Sequence, residues 1–150
     1  MASLSRQFAE WVVGLKYDDL PMAVVDRAKG LTLHAFSSAL VGRGFPDAEQ
    51  ALRMMQEEEG GGGAATVIVE GAKLTKAGAA PVNSEMMFAG GKRDTFRLLT
   101  HPGSAISPST LVSAEPAGAS GRASITRPAA GYDMLARMEA DLMPGAISRV

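Results

Sequence analysis

The sequence predicts an all-α fold with one small β excursion near residues 66–74. Apolar residues recur at helical spacing through most of the chain, starting with Leu4, Phe8, Trp11, Val12 and Leu15 at i, i+4, i+7, i+8 and i+11. Only one short run, Thr66-Val67-Ile68-Val69, has β-type composition. There is no internal repeat and no sustained heptad, so neither a solenoid nor a coiled coil is indicated. At 150 residues the chain is long enough for one domain with its own core.

In chain order, the first helix carries the stripe just named, with Gly14 near its end. Pro21 suits the first turn of a second helix. Its stripe is Val24, Val25, Ala28, Leu31, Ala35, Phe36, Ala39 and Leu40, and Gly42 and Gly44 are expected to end it. His34 lies within this helix and reads as a packed structural residue. Asp47 is the expected N-cap of a third helix bearing Ala51, Leu52, Met54 and Met55. Its last turn, Glu57-Glu58-Glu59, opposes the helix dipole and is expected to fray. Gly60 to Gly63 have no following Gly-Lys-Ser/Thr, so they read as a flexible linker and not as a phosphate loop.

The β-type run turns at Gly71 toward Lys73-Leu74, which suggests a small hairpin. Thr75 is placed to cap a fourth helix through Ala79, Ala80, Val82, Met86 and Met87, with the methionines as core packing. Gly90-Gly91 ends that helix. A fifth helix follows Ser104, with Ile106, Leu111, Val112 and Ala114, and runs to Pro116. The last helical stretch holds Ile125, Ala129, Tyr132, Met134, Leu135 and Met138. Pro128 is expected to kink or restart it and Pro144-Gly145 to end it, leaving Ile147 to Val150 as a tail.

Composition narrows the functional classes. Hydrophobic residues make up 46% and charged residues 21%, and the net charge of −1 gives no reason to expect nucleic acid or an anionic membrane as partner. The absence of cysteine excludes disulfides, thiolate metal sites and a cysteine nucleophile. No apolar run resembles a signal peptide or a membrane span, so a cytoplasmic protein is the expectation.

Chemistry-bearing residues concentrate in Asp94-Thr95-Phe96-Arg97-Leu98-Leu99-Thr100-His101-Pro102-Gly103-Ser104, which holds one of the chain's 2 histidines. Pro102-Gly103 forces a turn after His101. Ser104 is placed to cap the next helix, whose free N–H groups make a natural anion site. A histidine beside such an end can move a proton while the helix end holds a carboxylate. The bland alternative is that Asp94, Thr95 and Ser104 cap turns and His101 satisfies a backbone carbonyl.

The pieces Phe8-Ala9-Glu10-Trp11, Asp19-Leu20-Pro21, Ala39-Leu40-Val41-Gly42, Ala64-Ala65-Thr66-Val67-Ile68, Val82-Asn83, Asp94-Thr95, His101-Pro102-Gly103-Ser104 and Ala130-Gly131-Tyr132-Asp133 occur in a suggestive order. As an ordered set they resemble the MmgE/PrpD family, which includes 2-methylcitrate dehydratases, cis-aconitate decarboxylases and iminodisuccinate epimerases. The resemblance implies the N-terminal part of a helical domain over residues 1–150, with the family's lid domain absent. It implies proton abstraction next to a carboxylate of a small di- or tricarboxylate, with no organic cofactor and no metal. His101 matches the family's loop histidine and would transfer the proton. Thr95 matches the loop hydroxyl that positions substrate, and Asp94 the acid that orients the loop. Arg93 and Ser104 would contact the substrate.

The loop also departs from the family. The family usually has His-Ala-x-Asp-x-Asp-Asp-Thr where this chain reads Phe88-Ala89-Gly90-Gly91-Lys92-Arg93-Asp94-Thr95. A histidine is replaced by Phe88, one acid by Gly91 and another by Arg93, turning an acidic loop basic. His34 stands where the family usually has an acid, and Pro128 is a further difference. Three readings follow. The chain is part of a split or multi-subunit lyase, as a homo-oligomer or with a second chain supplying the rest of the fold. Alternatively, it is a catalytically degenerate helical module that binds a partner chain or a carboxylate, or a truncated product.

Overall fold

The computed structural model describes residues 2–96 and 100–147, the last seven as backbone only. Six helices dominate: α1 (Leu4–Gly14), α2 (Met22–Gly42), α3 (Pro46–Glu59), α4 (Lys76–Ala89), α5 (Gly103–Ala114) and α6 (Gly121–Ile147). A 3₁₀ turn covers Tyr17–Asp19, and β1 (Ala65–Thr66) pairs antiparallel with β2 (Lys73–Leu74). The expected all-α fold with a small hairpin is the observed one. Residues 97–99 and 148–150, which fall in the central loop and the expected tail, lie outside the described residues.

α4 is the centre, packed by α2, α3, α5 and the hairpin. Val82, Met86 and Met87 on its inner face are buried with Ala35 and Ala39 of α2, Val112 of α5, and Val67 and Leu74 of the hairpin. Small residues on α2 let the helices approach closely: a Cβ on Gly42 would fall 1.7 Å from the Met86 carbonyl oxygen. Gly42 thus serves the close approach of α4; no left-handed cap forms there, and the C-cap Arg43 is right-handed. Asn83, fully buried, pins the hairpin to α4. Its Oδ1 accepts from Ile68 N at 2.8 Å and its Nδ2 donates to the Thr66 carbonyl at 2.9 Å. Both halves of a buried amide are thus satisfied.

Several local expectations need correction. Asp47 is not the N-cap of α3. Phe45 occupies that place and Pro46 takes the first helical position, where its missing N–H costs nothing. The Glu57–Glu59 turn stays helical. Glu59 accepts from Thr75 N at 2.9 Å and from Thr75 Oγ1 at 2.6 Å, so a carboxylate unfavourable at the end of α3 becomes favourable at the start of α4. Thr75 caps α4 as expected, accepting from Gly78 N at 3.2 Å. The glycine run is more than a spacer. Gly60 ends α3 in the left-handed region, and a Cβ on Gly63 would fall 1.8 Å from the Leu74 carbonyl.

Pro128 does not break the last helix, which runs through both Pro128 and Pro144 to Ile147. One lost backbone bond is tolerated where packing on neighbours holds the helix, and Pro128 is fully buried. Pro81 and Pro108 likewise lie inside α4 and α5. Ser84 Oγ of α4 donates to the Ser104 carbonyl of α5 at 2.6 Å. α1 is helical as expected, with Ser3 as N-cap, but none of its residues is buried.

Candidate functional site

The loop joining α4 to α5 is anchored by Asp94. Its carboxylate accepts the Gly103 N–H with both oxygens, at 2.9 and 3.0 Å, and Oδ2 also accepts from the Tyr132 hydroxyl at 2.7 Å. The positive end of α5 is therefore covered by the chain's own carboxylate, nine residues back. Ser104 does not cap α5, contrary to the sequence expectation. Pro102 holds the N-cap position and the Ser104 hydroxyl donates to the His101 carbonyl at 2.9 Å. Burial, then the bond to Asp94, pushes the Tyr132 hydroxyl well above its ordinary range. Tyr132 is a donor here and not a base.

His101 is half-buried, with Nδ1 2.8 Å from the Asp94 carbonyl. A carbonyl only accepts, so Nδ1 carries a proton, and in the neutral ring the lone pair is then on Nε2. Thr95 Oγ1 stands 3.4 Å from the same Nδ1, a weak second acceptor at most. Phe88 meets the imidazole edge-on, with centroids 6.1 Å apart, and the Arg93 guanidinium stacks on the Phe88 ring at 3.9 Å. Two of the loop's departures, Phe88 and Arg93, thus form one contact beside His101.

A cleft of about 980 Å³ opens between α2, α6 and this loop. Arg93, Asp94 and Thr95 line it, together with Arg27 and His34 of α2 and Tyr132 of α6. His101 and Ser104 do not line it. Ser104 borders a pocket of only about 10 Å³ shared with His34, Lys92 and Asp94. The reading of His34 as a packed residue is overturned: it is exposed and faces the cleft, one α-helical face with Arg27 seven residues earlier. That i, i+7 spacing was the available signal for both residues.

Over residues 6–147 the sequence matches the MmgE/PrpD N-terminal domain. The chain belongs to the MmgE/PrpD family. No curated protein and no solved structure matches it. Within this MmgE/PrpD domain the family-like residues Asp94, Thr95 and His101 share one loop, in which the Asp94 carbonyl holds His101 and the Asp94 carboxylate holds the start of α5. Tyr132, from the last family-like piece, is tied to the same loop by its hydroxyl. Among the described residues no group of three histidine or acidic side chains is placed to hold a metal ion, and no helix is long and apolar enough to cross a membrane.

Proposed function

We propose that this MmgE/PrpD chain supplies the histidine-bearing loop of a lyase or isomerase that removes a proton next to a carboxylate. The observation that carries this reading is the Nδ1 bond of His101 to the Asp94 carbonyl, which leaves Nε2 as a base. His101 Nε2 takes the proton from the carbon beside a substrate carboxylate, and the C–H electron pair moves into that carboxylate as an enediolate. Return of the proton to the opposite face gives epimerisation, and expulsion of a β-hydroxyl as water, with a proton supplied to it, gives dehydration. In decarboxylation, protonated His101 delivers its proton to the carbanion left by CO₂. Arg93 and Thr95, which line the cleft and also lie beside His101, hold the di- or tricarboxylate between the two. Asp94 fixes the loop, and Ser104 supports it from the His101 carbonyl in place of a direct substrate contact. The rest of the helical domain and the lid come from further segments, from a second chain or from another copy.

The Arg93–Phe88 stack favours a second reading, a degenerate module that binds a carboxylate or a partner chain without turnover. It engages a cation on the ring that replaces the family's usual histidine. Turnover assays for dehydration, decarboxylation and epimerisation on the assembled protein separate the two. His101→Gln keeps hydrogen bonding but cannot titrate, so turnover falls roughly 10²–10⁴-fold while substrate binding changes much less. Thr95→Val gives a smaller loss, and His34→Gln weakens ligand affinity without that drop in turnover. Full turnover in His101→Gln removes the catalytic reading.

A further inference from the structure

α6 grips the His101 loop at two points. Tyr132 holds its first residue through the Asp94 carboxylate. Seven residues along, Glu139 Oε2 accepts from Thr100 Oγ1 at 2.7 Å, next to His101 itself. Seven residues are two helical turns, so both side chains project from the same face about 10 Å apart along the axis. Between these grips the loop closes on itself: Phe96 N donates to the Thr100 carbonyl at 3.0 Å, and His101 Nδ1 donates to the Asp94 carbonyl.

Glu139 makes the second grip from a buried position. It is only 3% exposed, and its Oε1 has no hydrogen-bond partner among the described residues. Glutamate is rarely buried this deeply, and the described partner of this one is the hydroxyl of the residue that precedes His101. The residue makes sense if it fixes where Thr100 and its neighbour sit. We infer that Glu139 is a positioning residue, which acts through Thr100 to hold His101 in the Nδ1-protonated orientation. The inference rests on the proposed role of His101, but its test requires no turnover.

The chain has only two histidines, so imidazole ¹⁵N NMR resolves His101 with His34 as internal control. At about pH 8.5, two units above the ordinary imidazole value, neutral rings report their tautomer directly. Wild type gives a single Nδ1–H pattern at His101. Glu139→Leu and Thr100→Val lose it, averaging toward both tautomers, while His34 keeps its wild-type shifts. Glu139→Gln retains a carbonyl acceptor for Thr100 and retains the pattern. Thr100→Val, nearly isosteric, carries the test if Glu139→Leu does not fold. A wild-type tautomer pattern in Thr100→Val overturns the inference, and a lowered melting temperature beside it shows the bond to be structural. Retained turnover in His101→Gln would instead remove the catalytic reading and leave this geometry standing.

Discussion

The Tyr132 hydroxyl and the Gly103 amide converge on one oxygen, Asp94 Oδ2, at 2.7 and 3.0 Å. A single carboxylate thereby joins a loop, a helix end and a second helix. Asp94→Ala removes a cap and strands a half-buried hydroxyl, so urea unfolding should show a loss of about 2 kcal/mol. Tyr132→Phe removes one bond only and should lose about 1 kcal/mol. Equal, negligible losses would mean that the carboxylate is not holding the loop.

Glycine positions in one run should respond unequally. Gly61 has φ of 80° with open space around its Cα, so Gly61→Ala strains the backbone by roughly 1 kcal/mol. Gly63 faces the Leu74 carbonyl and has no room, so Gly63→Ala should cost about 3 kcal/mol. Denaturant midpoints for the two variants check the order, and the reverse order contradicts the packing described.

Acid should release the hairpin from α5. Lys73, then Thr66, hydrogen-bond to Glu115 and hold its carboxyl at about 2, below the ordinary 4.5. A depressed carboxyl stabilises the folded state above its unfolded value, and the effect is lost as pH falls from about 4.5 through about 2. The group is partly exposed, so the effect is modest and salt-sensitive. Amide exchange at Thr66, which donates to Glu115 at 2.7 Å, should accelerate over that window, and Glu115→Gln should abolish the pH dependence.

Exposed apolar side chains on the first two helices should drive association. Leu4, Val13, Leu33 and Leu40 are 68%, 86%, 68% and 66% exposed. Patches of this kind mark interaction surfaces. Sedimentation of the chain alone should show oligomers or aggregates that bind an apolar dye, and Leu33→Lys with Leu40→Lys should reduce both. A compact monomer that binds no dye contradicts this.

Local spacing made the helices legible. The α1 helix, the Thr75 cap and the Gly71 turn each depend on residues a few positions apart, and each forms where those residues place it, although the α1 stripe is not buried. Asp94 was legible as part of a family-like loop but not as a cap, because the amide it holds is nine residues away and looked owned by Ser104. Glu59 reads as a badly placed charge until the start of α4 folds back onto it. His34 and Arg27 could be set on one helical face, yet only the packing of α6 showed that face to be a cleft wall. Glu139 gave no signal, since a glutamate in a mixed helix reads as solvated until burial is known.

The bond from Ser84 to the Ser104 carbonyl has its origin in Pro108. In an uninterrupted helix the residue-108 amide would donate to that same carbonyl, and proline has no such donor. The acceptor freed inside α5 is the one that α4 uses. The axial alignment of the two helices is thus keyed to a single carbonyl. A slip of one residue would set Ser84 against an oxygen already engaged within α5, so the proline acts as a registration mark between neighbouring helices.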